Sequence, residues 1–288
     1  MLVSTSELLK AASEGGYALG AFNVYNLEGA RAVVAAAEAE RSPAMLQILP
    51  TALKANGLPL VALCRAAAQG ASVPMSVHLD HSASAGDIQA ALDAGLTSVM
   101  ADGSHLPYAE NVAFTRNIAA VVHERGGTVE AELGRLTGTE DGLTIPEYES
   151  RLTDPDQAAD FVLETDIDAL AICIGNVHGR YWSEPRLDFE RLDAILKAVA
   201  VPIVLHGASG LPETMVRRSI ELGVCKFNVN TEVRQAYLSA LRNSMASARN
   251  SMASAKSPEL LEVMHSAVAA MQAVVSTKLR LFGSVNKG

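Results

Sequence analysis

Apolar residues fall along this chain in short continuous runs separated by longer amphipathic stretches, an alternation repeated about eight times. The runs are Ala18–Val24, Ala44–Leu49, Met75–Leu79, Ser98–Ala101, Thr128–Ala131, Ala169–Ile174, Ile203–Leu205 and Cys225–Val229. Runs of this length and apolarity read as strands covered on both faces. Between them, Leu27–Arg41, Ala85–Ala94, Tyr108–Glu124, Pro155–Glu164 and Glu213–Leu222 have the length and spacing of amphipathic helices. Eight strand–helix units predict an α/β fold, a (β/α)8 TIM barrel. We expect one domain over residues 1–288, with a C-terminal helical extension from about residue 231. An open nucleotide-binding sheet is disfavoured, because no GxGxxG follows the first strand and no Walker A loop occurs. After the eighth strand, Arg242–Ala248 recurs at once as Arg249–Ala255. Seven residues make nearly two helical turns, so this duplication lengthens a helix while almost keeping its face.

The 288 residues include 23 Lys and Arg against 32 Asp and Glu, a formal charge of −9, and 49% are hydrophobic. That apolar fraction supports a large core, and the acidic balance disfavours nucleic acid and anionic membranes as partners. No basic segment followed by an apolar run opens the chain, and no stretch reaches about 18 uninterrupted apolar residues. Neither a signal peptide nor a membrane span is therefore expected. Cys64, Cys173 and Cys225 are widely spaced and odd in number, and read as buried thiols in a reducing cytoplasm.

Chemistry in such a barrel sits at the C-terminal ends of the strands, and several polar residues of this chain fall there. His78, Asp80 and His81 end the third strand, Asp102 to His105 follow the fourth, and Glu130 and Glu132 end the fifth. Asn176 to Gly179 follow the sixth, His206 and Gly207 the seventh, and Asn228 to Thr231 end the eighth. His81, His178 and His206 occupy equivalent places on three strands, and three imidazoles with an open fourth position make a catalytic zinc-type site. His78 and Glu130 are expected to alternate away from the His81 and Glu132 sides and to serve in packing or behind the ligands. His105, His123 and His265 read as structural, with His123 on an exposed helix face. The Gly207–Gly210 turn and the Asn228–Thr231 segment are the two loops that often form a phosphate site in barrels.

Taken together these segments resemble the class II, metal-dependent ketose-bisphosphate aldolases, notably the short tagatose/fructose-bisphosphate branch. The likeness runs through Ala21–Asn23, His78–His81, Asp102–His105, Glu130–Gly134 and Gly138–Asp141. It continues through Val177–Gly179, Leu205–Ser209, Asn228–Glu232 and the closing Phe282–Ser284 with Asn286 and Lys287. The resemblance implies reversible cleavage of fructose or tagatose 1,6-bisphosphate to dihydroxyacetone phosphate and glyceraldehyde 3-phosphate. It implies Zn2+ on His81, His178 and His206, with Asp102 and Glu132 at an alternative or outer position. Asp80 would serve as acid/base at the oxygen of the cleaved bond, and Glu140 would carry the proton at the enediolate carbon. Asn23, Gly179, Gly207, Ala208, Ser209, Asn228, Val229, Asn230 and Thr231 would bind substrate, with a monovalent cation (Na+ or K+) nearby. A cytoplasmic homodimer or homotetramer is the expected state.

A metal at the ketone oxygen removes the need for a Schiff-base lysine. Lys226, the one lysine near a strand end, is expected to point outward or to pack its stem. Two departures concern the distal end of the substrate. Leu49 stands where the family usually has Ser or Thr, and Ser257-Pro258-Glu259 stands where it commonly has Asp-Pro-Arg. Arg135 or Arg180 would then serve the distal phosphate, or the substrate is another ketose phosphate, such as a ketose 1-phosphate or 6-phospho-5-dehydro-2-deoxygluconate. A non-catalytic subunit of an aldolase system is the remaining alternative, against which Asp80, Glu140 and the three histidines argue.

Overall fold

A computed structural model describes residues 1–140, 143–146, 150–179, 181, 183–250 and 259–288, with backbone only for 139, 140, 143, 145 and 247–250. The chain runs α1 (Thr5–Gly15), β1 (Leu19–Asn23), α2 (Leu27–Glu40), β2 (Ala44–Ile48), α3 (Pro50–Asn56), α4 (Leu58–Gly70), β3 (Met75–Ser82) and α5 (Ala85–Asp93). It continues through β4 (Ser98–Ala101), α6 (Tyr108–His123), β5 (Thr128–Leu133), β6 (Thr137–Glu140), β7 (Leu143–Ile145), α7 (Pro155–Thr165), β8 (Ala169–Ile172) and β9 (Val177–His178). Then come α8 (Phe189–Ala198), β10 (Ile203–Leu205), α9 (Glu213–Leu222), β11 (Val224–Val229), α10 (Thr231–Asn250) and α11 (Leu260–Leu281). Eight parallel strands close in the order β1-β11-β10-β8-β5-β4-β3-β2. These are the eight strands read from the apolar runs, and the fold is the (β/α)8 barrel.

Four of the helices start where a short polar side chain satisfies a free backbone N–H group. Asn26, Ser84, Asp154 and Asp188 each accept from an N–H in the first turn of α2, α5, α7 and α8. Outward strand residues such as Phe22, Leu46, Leu79 and Phe227 pack under the helices in one large apolar cluster. Inward residues Leu19, Ala21, Met45, Met100, Ala169, Ala171, Val204 and Cys225 form a second cluster, closed from below by Leu8, Leu9 and Ala12 of α1. The barrel therefore has a largely apolar floor, and its acidic and basic residues lie above it, toward the opposite end.

Beyond the barrel, α11 packs along α2 and α10, and the Phe282 ring that follows it stacks on Phe227 at 5.1 Å. By length and composition α11 is apolar enough to cross a membrane. Here it buries Ala267, Met271, Val275 and Leu279 against the rest of the chain. The first copy of the duplicated heptad lies in α10, as the lengthened-helix reading requires, and the second begins at its last two residues, Arg249 and Asn250. Residues 251–255 lie outside the described residues.

Candidate metal centre and active site

The geometry of β3 brings its terminal residues to one point. Its register with β4 shifts between Leu79 and Ser82, which pair with Val99 and Ala101. The extra residue is a bulge, and His81 within it adopts a left-handed φ of 46°. That conformation is strained for a residue with a Cβ, at roughly 1–3 kcal/mol. It turns His81 toward His178, after β8, and His206, after β10, while Asp80 stays inside the barrel. Ring centroids stand 4.8 Å apart for His81–His178 and 4.6 Å for His81–His206. One ligand atom from each of the three histidines lies within 4.8 Å of the other two. The same distance groups His81 with Asp102 and Glu132.

Each of two rings is held by a partner that leaves one nitrogen for the site. His81 Nδ1 donates to Asp102 Oδ2 at 2.8 Å, and His206 Nε2 donates to Glu130 Oε1 at 3.0 Å. His81 Nε2, His206 Nδ1 and Glu132 Oε2 are then buried with no hydrogen-bond partner among the described residues. Buried polar atoms are rarely left so, and these are the donor atoms a divalent cation takes. Glu132 Oε2 also lies 3.6 Å from His206 Nδ1. The neighbouring charges agree with this. Burial, and then the Asp102 carboxylate, push Glu132 up to about 8. Burial, followed by His81 and His206, holds His178 well below its usual value and hence neutral. Burial opposes the ionised form of Asp102, but the His81 hydrogen bond holds its carboxyl below the usual range. The donor set fits zinc, with imidazole nitrogens, a carboxylate and room for an open position.

Asp80 is buried and triply held. Oδ2 accepts from Asn23 Nδ2 at 2.8 Å, and Oδ1 accepts from Gln47 Nε2 at 3.2 Å and Asn228 Nδ2 at 3.1 Å. Burial raises its pKa, but His81, His206 and Lys226 outweigh it and hold the carboxyl below its ordinary value. Asn23, expected at the substrate, thus spends an amide proton on Asp80. Gln47 carries no expected role, although as the inward residue two positions after Met45 it shares that face by the period of a strand.

Two orientations differ from expectation. Glu130 and Glu132 share one face of β5, as residues two apart must, and Glu130 bonds His206 rather than turning away. Lys226 points inward, not outward, and is fully buried, with Nζ donating to Glu130 Oε2 at 2.8 Å and to Asn228 Oδ1 at 2.8 Å. No lysine is among the described residues lining the cavity beside the histidines. His78 shares a hydrogen bond with Ser98 Oγ at 2.7 Å inside the barrel. His123 is half-buried rather than exposed, with Nε2 2.9 Å from Asp168.

The two loops read as a phosphate site are tight turns at the ends of β10 and β11. Gly207 has φ 70°, and a Cβ there would fall 2.0 Å from Val177 O, so no other residue fits. Ser209 Oγ accepts from Glu232 N at 3.4 Å at the start of α10, while Asn230 Oδ1 accepts from Tyr25 at 2.9 Å. Ala208 is buried and Thr231 opens α10. The Val229 side chain packs in the core. Gly179, with φ 83°, follows His178. Among the described residues none of these lines the cavity of about 500 Å³ beside the histidines. That cavity is bounded by His81, Asp102, Glu132 and His178 at one side and by Leu49, Thr51, His105, Arg135 and Leu136 elsewhere. The backbone of Glu140 ends β6, which pairs with β9 through Gly138 and His178. The Glu140 side chain, Arg180, Ser257 and Pro258 lie outside the described residues. Glu259 is exposed and precedes α11 without a side-chain capping bond.

Comparison with known proteins covers nearly the whole chain. The family model "Fructose-bisphosphate aldolase class-II" matches residues 3–287. The YdjI aldolase from Escherichia coli K12 is 34% identical with a TM-score of 0.88, over 100% of this chain and 99% of that one. A candidate fructose-1,6-biphosphate aldolase from Coccidioides immitis is 36% identical with a TM-score of 0.90, over 98% and 97%. The fructose-bisphosphate aldolase Fba from Campylobacter jejuni, 21% identical, shares the fold at a TM-score of 0.81 over 100% and 97%. With the family pattern spanning nearly every residue, the chain belongs to the class-II fructose-bisphosphate aldolase family, a family of lyases.

Proposed function

We propose that the chain cleaves a ketose 1,6-bisphosphate, of fructose or tagatose configuration, reversibly to dihydroxyacetone phosphate and glyceraldehyde 3-phosphate. The observation that carries this reading is the convergence of His81, His178 and His206 ligand atoms within 4.8 Å, beside a carboxylate held by three amides. The three histidines would hold the zinc on which this family generally depends, with Glu132 and Asp102 as its nearby carboxylates. When bound, zinc supplies the positive charge that stabilises an enediolate developing next to the ketone. Asp80 takes the proton from the hydroxyl at the cleaved bond and returns it in the condensation direction. Glu140 moves the proton at the carbon that becomes nucleophilic. The Gly207–Ser209 turn, Gly179 and the N-terminal turn of α10 bind the phosphate of the dihydroxyacetone half through backbone N–H groups. A monovalent cation beside that phosphate, and a cytoplasmic homodimer or homotetramer, belong to the same reading.

For the distal phosphate, Arg135 is the cationic side chain among the described residues lining the cavity. Leu49 in that lining favours a second reading, in which the aldehyde half is less polar and the substrate is a ketose 1-phosphate. The test is dihydroxyacetone phosphate release from matched ketose 1-phosphates and 1,6-bisphosphates, with and without a chelator. Chelator-sensitive cleavage favouring bisphosphates supports the first reading, and cleavage favouring 1-phosphates transfers support to the second. Cleavage insensitive to metal removal refutes both.

A further inference from the structure

Beneath the histidines lies a buried polar chain that the proposed reaction does not use. Lys226 Nζ donates to Glu130 Oε2 at 2.8 Å, Glu130 Oε1 at 3.1 Å and Asn228 Oδ1 at 2.8 Å. An ammonium has three protons and no acceptor, so this one is fully engaged. Asn228 stands between a group that can only donate and one, the Asp80 carboxylate, that can only accept. Its carboxamide is therefore held one way round, oxygen toward Lys226 and NH2 toward Asp80 Oδ1 at 3.1 Å. Turned over, it would aim a carbonyl oxygen at the carboxylate. On the other side of the ammonium, Glu130 accepts from His206 Nε2 at 3.0 Å.

We propose that Lys226 is a positioning residue for the cleavage step, fixing the Asn228 carboxamide so that Asp80 is held to receive the proton at the cleaved bond. This rests on the aldolase reading above. Lys226 is not among the residues lining the cavity, and its effect passes through Asn228. The competing explanation is bulk charge balance, in which Lys226 merely neutralises buried Glu130. Removing both charges separates the two, because it restores neutrality without restoring the grip on Asn228.

The experiment compares Lys226→Met, Glu130→Gln, Lys226→Met/Glu130→Gln, Asn228→Ala and Lys226→Met/Asn228→Ala, each as zinc-loaded full chain. Bound zinc per chain, thermal stability, kcat and KM for fructose and tagatose 1,6-bisphosphate, and proton exchange of dihydroxyacetone phosphate with solvent are measured. Lys226→Met alone leaves Glu130 unneutralised and is expected to be unstable, so the double variants decide between the two explanations. Lys226→Met/Glu130→Gln is expected to fold and retain zinc, with KM within about twofold and cleavage kcat down about tenfold or more relative to Glu130→Gln. Proton exchange, which does not involve Asp80, is expected to stay within about threefold. Asn228→Ala is expected to reproduce the kcat loss, and adding Lys226→Met to it should change kcat by less than about threefold. Cleavage kcat equal to that of Glu130→Gln, exchange falling in step with cleavage, or additive losses with Asn228→Ala would each overturn the proposal. A wild type that releases no dihydroxyacetone phosphate from any ketose phosphate removes the aldolase reading and this role with it. An active wild type with unaltered variants removes only Lys226.

Discussion

Replacing Asn23 by alanine tests whether that residue serves the substrate or Asp80. The family likeness places Asn23 among substrate contacts, whereas its Nδ2 is 2.8 Å from Asp80 Oδ2. Among the described residues the other two amide donors both serve Oδ1, at 3.2 and 3.1 Å. Truncation therefore strips one carboxylate oxygen of its donor inside a buried site where water does not screen the loss. A hydrogen bond to a charged group contributes about 1.5–3 kcal/mol, which converts to roughly 10- to 150-fold in rate at about 1.36 kcal/mol per decade. The loss belongs in cleavage kcat, because the lost partner is the base and not the sugar. KM for the bisphosphate is expected to stay within about twofold, and zinc content should not change, since Asn23 is no part of the histidine cluster. Steady-state kinetics with metal analysis on Asn23→Ala decide it. A raised KM with unchanged kcat would refute the reasoning and return Asn23 to the substrate.

Two further outcomes follow from the site. Glu132 sits near 8 in the metal-free protein through burial and Asp102, against an ordinary glutamate value of about 4.3. The folded state then binds more protons than the unfolded one across that interval. Its contribution to stability is complete below the lower value and is lost as pH rises through about 8. Thermal melts of chelator-treated protein should show Tm falling from pH 6 to 9, with a flatter profile for Glu132→Gln. Gly207→Ala would put a Cβ 2.0 Å from Val177 O at φ 70°. The clash is with backbone, so the loop must shift, and both Tm and affinity for dihydroxyacetone phosphate should drop; unchanged binding by calorimetry would remove this turn from the phosphate site.

The fold is legible in the sequence because the barrel strands are dominated by apolar residues and α2, α5, α7 and α8 open on Asn, Ser or Asp caps. Ser98–Ala101 and Ile203–Leu205 are strands over the same residues that the apolar runs indicate. The strands β6, β7 and β9 are not legible, being short, polar pieces of the connections that follow β5 and β8. Nothing periodic marks them, since they are set by Gly138, where a Cβ would fall 2.0 Å from His178 O, and by pairing across loops distant in sequence. The three histidines are legible from position alone, because a strand end in a barrel has one outlet. The left-handed turn at His81 is not, as it depends on a bulge against β4 that the β3 sequence does not announce.

Lys226 departs from expectation for a different reason, since the information needed to orient it is present in the sequence. Asn228 belongs to the site, and residues two apart on a strand share a face, so Lys226 must point inward. Hydropathy argues otherwise, because a lysine in a barrel core is costly unless fully paired. The partner that offsets this cost is Glu130, ninety-six positions away in sequence, and turning Glu130 away from the site breaks the same parity rule. Each departure conceals the other. Applying period two consistently places His78, Asp80, Glu130, Glu132, Lys226 and Asn228 on one inner surface, three acids against one lysine and one histidine before His81, His178 and His206 are counted. An inner surface with that excess of carboxylate, above an apolar floor, is balanced by cationic charge from outside the chain, by protonation of one acid, or by a protonated His81. The raised value of Glu132 is the second solution and a bound divalent cation is the first. Zinc binding at pH 7 is then expected to release a proton from Glu132 in addition to any from His81. Calorimetric titration in buffers of different ionisation enthalpy counts those protons, and a count unchanged by Glu132→Gln would break the argument.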